Sequence, residues 1–308
     1  MGSDSIHNAS EAVSIDNSAI SNIVREVVER QLGTTGQPRP SAPAECDLPN
    51  AGTLKEKFRR DEPTYGMWIT LESPSITEIA TRMGFDWIVI DAEHGYLDMK
   101  NVMEHIRVAN LANTPILVRI SEIQKGLIKR IMDVGADGII VPHVRTAAEL
   151  AEAVSYAKYP PEGSRGIGAE RATRWGAGIE QCVPRANENS LVVAMMETVE
   201  AGEAIDEILD VPGVDAMFFG LHDYSATSGY PGTADEPPVI ERAMEVQKRI
   251  RARGMPSGIV AWEGEEIKKR LDEGFRMIGL GFDTTLLIKA AAQALTAAGR
   301  KVPASAWW

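Results

Sequence analysis

From residue 65 onward, short apolar runs alternate with longer stretches in which apolar positions recur every three or four residues. The short runs, at 65–71, 87–91, 116–120, 138–142, 191–196, 216–220, 257–261 and 277–281, are rich in Ile, Val, Met and Phe and predict buried strands. The stretches between and after them, at 75–83, 98–111, 123–134, 146–157, 201–209, 238–253, 264–273 and 283–298, carry the helical period. Eight strand-then-helix units predict an α/β protein of the (β/α)8 TIM-barrel class, spanning 65–300. A doubly wound open sheet is the structural alternative, but no glycine-rich GxGxxG turn follows the first strand.

The first 64 residues follow another pattern. Residues 1–14 are small and polar and are expected to be disordered. Ile15, Ala19, Ile20, Ile23, Val24, Val27, Val28 and Leu32 fall on one face of a helix over 15–32, opposite Arg25, Glu26, Glu29 and Arg30. Asn17 or Ser18 can cap its start and Gly33 its end. Residues 33–64, beginning GTTGQPRPSAPAE, read as a Pro/Gly-rich linker and lead-in, so the barrel carries a tethered N-terminal amphipathic helix. So short a helix on a tether is not stable alone; its apolar face needs a surface. Residues 301–308 form a tail.

Composition narrows the partners. With 32 Lys and Arg against 44 Asp and Glu, the net charge of −12 argues against nucleic acid or an anionic membrane as partner. The apolar runs fall far short of a bilayer span, and the N-terminus has no signal-peptide pattern, which points to the cytoplasm. Cys46 and Cys182 read as incidental thiols, without metal-ligand spacing.

The candidate chemistry lies at the C-terminal ends of the predicted strands, the rim where this fold builds its sites. Strand two runs into Asp91, Glu93 and His94, strand three ends in Arg119, and strand four meets His143. Strand five ends at Glu197, and strand six leads into Gly220, Leu221, His222 and Asp223. Glu197 and Asp223 come from adjacent strands and can share one hard divalent cation; the alternative is that each caps a following helix. Arg119 ends an apolar strand, so its guanidinium needs an acid, with Asp91, Glu93 or Asp133 available, and its planar fork also suits a carboxylate or enolate oxygen. His94 is either a structural rim residue or a general base whose tautomer Asp91 and Glu93 set. His143 and His222 carry the same ambiguity. No lysine stands near the C-terminal end of a predicted strand, which argues against Schiff-base chemistry.

The segments GFDWIVIDAEHG, ILVRI, IKRIMDVGADGIIVPHV, YPPEGSRGIGAERATRW, METVEA, GVDAMFFGLHDYSATSGYPG and GFDTTLL, in this order, resemble the HpcH/HpaI aldolase family from about residue 65 to 297. The resemblance implies a divalent-metal-dependent aldolase that reversibly cleaves a 4-hydroxy-2-oxoacid to pyruvate, or a close 2-oxoacid, and an aldehyde. It implies Glu197 and Asp223 as ligands of Mg²⁺, Mn²⁺ or Co²⁺, His94 as acid/base supported by Asp91, and Arg119 as the oxoacid's partner. Asp133 corresponds to an aspartate at the rim of a neighbouring subunit's site, within a homohexamer. Two positions depart from the family pattern: Met195 stands where a glutamine is usual, and Gly220-Leu221-His222 where Gly-Pro precedes the aspartate. These departures bear on the substrate pocket and leave the metal ligands in place. An oxaloacetate decarboxylase or a macrophomate-synthase-like enolate enzyme is the nearest rival, and a non-catalytic 2-oxoacid-binding or scaffold protein the more distant one. Residues 15–32 with their tether resemble an encapsulation peptide for a bacterial microcompartment shell; an oligomerisation helix is the alternative.

Overall fold

A computed structural model describes Asn22, which is helical, and residues 51–303. The rest of the predicted 15–32 helix, the linker up to residue 50 and the last five residues lie outside the described residues. The chain divides into two units, residues 1–44 and 45–308, and the second holds the barrel.

Eight parallel strands, β1 (Thr64–Ile69), β2 (Trp87–Asp91), β3 (Ile116–Arg119), β4 (Gly138–Val141), β5 (Leu191–Met196), β6 (Ala216–Phe219), β7 (Ser257–Val260) and β8 (Met277–Phe282), close in sequence order. Closure is made by β8 pairing with β1, Thr64 opposite Met277 and Tyr65 opposite Ile278. Predicted and observed strands coincide at β2 and β5 and differ by a residue or two at the ends of the others. The strands read as unbroken apolar runs because both their faces are covered. Inward, Trp68, Val89, Leu117, Ile140, Val193 and Phe218 fill the barrel; outward, residues such as Ile88, Ile90, Ile139 and Val192 meet the helical layer.

The helices are α1 (Ala51–Arg59), α2 (Pro74–Met83), α3 (Met99–Leu111), α4 (Lys125–Asp133), α5 (Ala147–Ala157), α6 (Ile179–Ala186), α7 (Val199–Glu203), α8 (Ile205–Leu209), α9 (Leu221–Thr227), α10 (Pro237–Ala252), α11 (Gly264–Asp272) and α12 (Asp283–Ala297). Four features depart from the expectation. The stretch expected as lead-in contains α1, whose Ala51, Leu54 and Phe58 are buried in the barrel's interior cluster. Lys55 pairs with Asp215, just before β6, at 2.8 Å, and Lys57 pairs with Asp86, just before β2, so α1 closes the N-terminal end of the barrel. Apolar residues at positions 51, 54 and 58 of a nine-residue segment gave too short a period to distinguish it from the preceding linker. The predicted helix at 201–209 breaks at Ala204 into α7 and α8, and the segment between α5 and β5 forms α6 and a 3-10 turn at Arg171–Thr173. Cys182 on α6 is disulfide-bonded and not the free thiol expected; the chain's other cysteine, Cys46, lies outside the described residues.

The last helix has an unusual surface. Within α12 only Asp283 is buried, and Leu287 is 63% exposed. Asp283 anchors the helix: its carboxylate accepts from the backbone N–H groups of Thr70 and Leu71 and from the Thr70 hydroxyl at 2.8–3.1 Å. Among the described residues no helix is long and apolar enough to cross a membrane.

Candidate active site

The parallel register carries acid and base to one rim. Asp91 and Arg119 are register partners on β2 and β3, and their side chains meet directly. Arg119 Nε donates to Asp91 Oδ1 at 2.9 Å, and Nη2 donates to Asp91 Oδ2. Glu93 Oε2 lies 3.1 Å from Arg119 Nη1, an ion-pair distance without hydrogen-bond alignment. Of the acids considered for Arg119, Asp91 and Glu93 are its partners, and the fork retains N–H donors toward the cavity it lines. The arginine also lies over the Trp68 ring, 5.0 Å from its centroid.

Two further carboxylates, Glu197 and Asp223, follow the paired strands β5 and β6. Glu197 follows β5 directly and is fully buried. Its Oε1 accepts from the His143 backbone N–H, while Oε2 has no hydrogen-bond partner. Burial pushes the Glu197 carboxyl up to about 7, and the charges of Glu93 and Asp223 push in the same direction. Close approach is possible because Gly220 has no side chain: a Cβ there would stand 2.7 Å from Glu197 Oε2. Asp223 occupies the first turn of α9 and lines the cavity.

The capping alternative fails for both acids. Thr198, not Glu197, caps α7, its hydroxyl accepting from the Ala201 N–H at 3.1 Å, and Asp223 lies inside α9 with no side-chain cap bond at that helix's start. A buried carboxylate oxygen without a donor, raised further by the negative charge of Asp223, fits a cation. Among the described residues no group of three or more His, Cys, Asp and Glu side chains could hold a metal ion. A two-carboxylate site would therefore draw its remaining ligands from water and substrate oxygens, as hard divalent ions do.

The histidines divide. His143 has φ +49 and spans the two clusters, with Nε2 3.0 Å from Glu93 Oε1 and Nδ1 3.6 Å from Glu197 Oε1. His94 sits on the rim, 60% exposed, with Glu93 4.0 Å away. Asp91 does not reach the His94 imidazole; it accepts from the His94 backbone N–H at 3.2 Å and so holds the loop. His222 lines the cavity, and burial pushes its imidazole below the ordinary value. Burial likewise raises Glu93, against the pull of Arg119, His94 and His143.

Met195, Gly220, Leu221 and His222 line the same cavity of about 530 Å³ as His94, Arg119 and Asp223. Asp133 does not join them within this chain. It ends α4, at the opposite end of the barrel, and pairs with Arg165 at 2.7 Å. Lys158, whose buried ammonium is pushed down to about 8, donates to Ser190 Oγ at 3.0 Å and to the Asn187 and Ser190 carbonyls just before β5, again at the far end. Glu93 was expected at Arg119 as well as beside His94, but two residues of the site escaped sequence reasoning as members: His143 was read only as ambiguous, and Trp68 as strand core. The last carried a usable signal, since Trp68 stands near the C-terminal end of β1, where the site is built.

Comparison with known proteins now has a geometry to meet. The family model for "HpcH/HpaI aldolase/citrate lyase" matches residues 64–290. A 2-keto-3-deoxy-L-rhamnonate aldolase of Escherichia coli K12 is 37% identical over 246 residues, covering 79% of this chain and 91% of the relative. Among solved structures, an HpcH/HpaI aldolase/citrate lyase family protein from Burkholderia cenocepacia J2315 superposes with a TM-score of 0.77 at 30% identity, covering 80% of this chain and 99% of the other. An HpcH/HpaI aldolase from Desulfitobacterium hafniense DCB-2 gives a TM-score of 0.74 at 28% identity, covering 81% and 97%.

Proposed function

Because the chain belongs to the HpcH/HpaI aldolase/citrate lyase family, we propose that this lyase reversibly cleaves a 4-hydroxy-2-oxoacid into pyruvate, or a close 2-oxoacid, and an aldehyde. The observation that carries this reading is the Glu197 carboxylate, buried with one oxygen unpaired beside Asp223. A divalent ion of the Mg²⁺, Mn²⁺ or Co²⁺ kind, held by Glu197 and Asp223, would supply Lewis acidity toward the oxoacid's 2-oxo group.

The chain's own residues do the rest. Arg119, fixed by Asp91 on one side and Glu93 on the other, offers its remaining N–H donors to the oxoacid and stabilises the negative charge that grows on the enolate oxygen. Preorganisation is the gain: the guanidinium is already oriented before substrate enters. In cleavage the C3–C4 bond breaks, its electron pair passes to the enolate, and the proton leaves the 4-hydroxyl oxygen. His94, at the rim within reach of solvent, is the group we assign to that proton, with Glu93 behind it. Met195, Gly220, Leu221 and His222 shape the floor beside the oxoacid.

Release of pyruvate and aldehyde from a panel of 4-hydroxy-2-oxoacids, with and without EDTA, tests this function. Loss of activity on chelation and its return with Mg²⁺, Mn²⁺ or Co²⁺ is expected. Turnover that survives metal stripping, or survives Glu197→Ala, would sink it.

The same reading extends to assembly and place: a cytoplasmic homohexamer, with the exposed leucines of α12 covered by a neighbour and Asp133 brought to a neighbour's site. Residues 15–32 are assigned to a microcompartment shell. Deleting residues 1–45 should release the enzyme from shells and leave its turnover unchanged.

A further inference from the structure

The cavity is larger than an oxoacid requires. At about 530 Å³ it falls in the range of about 300–1,000 Å³ that encloses a drug-sized ligand. The carboxylates gather on the β5–β6 side, and the β7–β8 side is a wall of rings. Trp262, just past β7, lies 6.2 Å from Phe282 between ring centroids, at 31° to its plane; Phe282 lies 5.6 Å from Trp68, and Trp68 5.3 Å from Phe218. Trp68 also carries the Arg119 guanidinium over its ring, so the wall begins at the oxoacid's partner and continues outward to the mouth.

The outer half of this wall is not closed core. Trp262 and Phe282 are half-buried and line the cavity, whereas Trp68 and Phe218 are fully buried. The Trp262 position is also built. Gly281 holds φ +119, and a Cβ there would stand 2.8 Å from the Trp262 ring, so the indole lies against bare backbone. The Trp262 backbone N–H donates to Glu266 Oε2 at 2.8 Å, fixing the main chain that carries the indole.

Charge around the outer half disfavours an anion. Arg270 reaches this side, but Glu273 at 3.0 Å and Glu266 at 3.6 Å both compensate it, and Asp223 and Asp235 line the cavity as well. A second carboxylate on the incoming aldehyde would meet more acids than uncompensated bases. A flat, uncharged π-surface can meet these rings in offset or edge packing, which aromatic pairs prefer to a face-to-face sandwich.

We propose that the Trp262–Phe282 wall is the aldehyde subsite and that it selects an uncharged aromatic aldehyde, with Trp262 the specificity-determining residue. The proposal rests on the aldolase reading above. In the synthetic direction one bond forms, between pyruvate C3 and the aldehyde carbon; C3 loses one proton and the new alkoxide gains one, so no further reactant is needed.

The test uses the full-length holoenzyme with pyruvate and two aldehydes, benzaldehyde and glycolaldehyde. Exchange of pyruvate C3 protons with D2O, followed by NMR, reports enolate formation without any aldehyde. With exchange present, the KM for benzaldehyde should lie at least about tenfold below that for glycolaldehyde. Trp262→Ala should lower the ratio of kcat/KM values, benzaldehyde over glycolaldehyde, by about tenfold, and Trp262→Phe should recover part of it. Exchange in the wild type with no preference for benzaldehyde, or a ratio unmoved by Trp262→Ala, overturns the subsite and leaves the aldolase reading standing. Absence of both exchange and addition overturns the aldolase reading, and the subsite falls with it.

Discussion

The two ends of the barrel handle charge in opposite ways. At the N-terminal end α1 fills the opening with Ala51, Leu54 and Phe58, and the charges around it are paired: Lys55 with Asp215, Lys57 with Asp86, Asp61 with Arg251 and Arg276. At the C-terminal end Glu197 is buried and Glu93 half-buried, each with a buried oxygen that lacks a hydrogen-bond donor, and both carboxyls are raised by burial. A buried ionisable group without a full set of partners costs stability. One end is therefore built to hold the fold, and the other holds unmet charge that a cation and a substrate can complete.

The sharpest way to break this contrast is to remove the acids at the rim. Asp223→Asn or Glu197→Gln should lower kcat/KM for 4-hydroxy-2-oxoacid cleavage on the order of a thousandfold, read by coupled pyruvate detection, with the circular dichroism spectrum retained. At the other end, Leu54→Ala leaves a cavity under α1 and should cost about 2–5 kcal/mol in urea unfolding. Its kcat per folded molecule should not change; a large kcat loss would mean that the two ends are not separable.

The third prediction concerns pH. Glu197 holds its proton up to about 7 when folded, against an ordinary value of 4.5 in the unfolded chain. Both states are protonated below 4.5; between 4.5 and 7 the unfolded chain loses the proton and the folded chain keeps it. Metal-free stability should thus fall as pH rises through that window, by on the order of 3 kcal/mol. Glu197→Gln should flatten the slope, and a saturating divalent ion should reverse it. A slope identical in wild type and Glu197→Gln would show that the carboxyl is not strained by its site.

The smallest effect is expected at Asp61. Hydrogen bonding to Arg251 lowers its carboxyl to about 2, so its contribution is present above the unfolded value of 3.8 and is lost as pH falls toward 2. The pair is about half exposed, and water screens it; Arg251→Ala should cost less than about 1 kcal/mol at neutral pH. A larger loss would place more of the fold's stability in surface ion pairs than the buried plug implies.

The comparison also separates what could be read early from what could not. Strand and helix alternation is a local property, so β2 and β5 were located to the residue, and the rim acids followed from their places at strand ends. Helix α1 was missed because nine residues next to a Pro-rich linker show too few periods. Asp133 stands in a recognisable motif, yet within one chain it pairs with Arg165 far from the rim; a position in a motif does not say which molecule's site it serves. Asp91 was expected either at the His94 imidazole or at Arg119; its register partner is Arg119, and that bidentate partner takes it.

The amino-acid order alone determined the eightfold alternation and the placing of Glu197, Asp223, Arg119 and His94 at or just past the C-terminal ends of strands, on one side of the barrel. Only the closed barrel decided that His143 bridges Glu93 and Glu197, and that rings from β1, β6 and β8 and the residue past β7 form one wall. The reason is range. Periodicity acts between residues a few places apart, whereas these contacts join side chains separated by tens to hundreds of residues, which meet only when the last strand closes on the first.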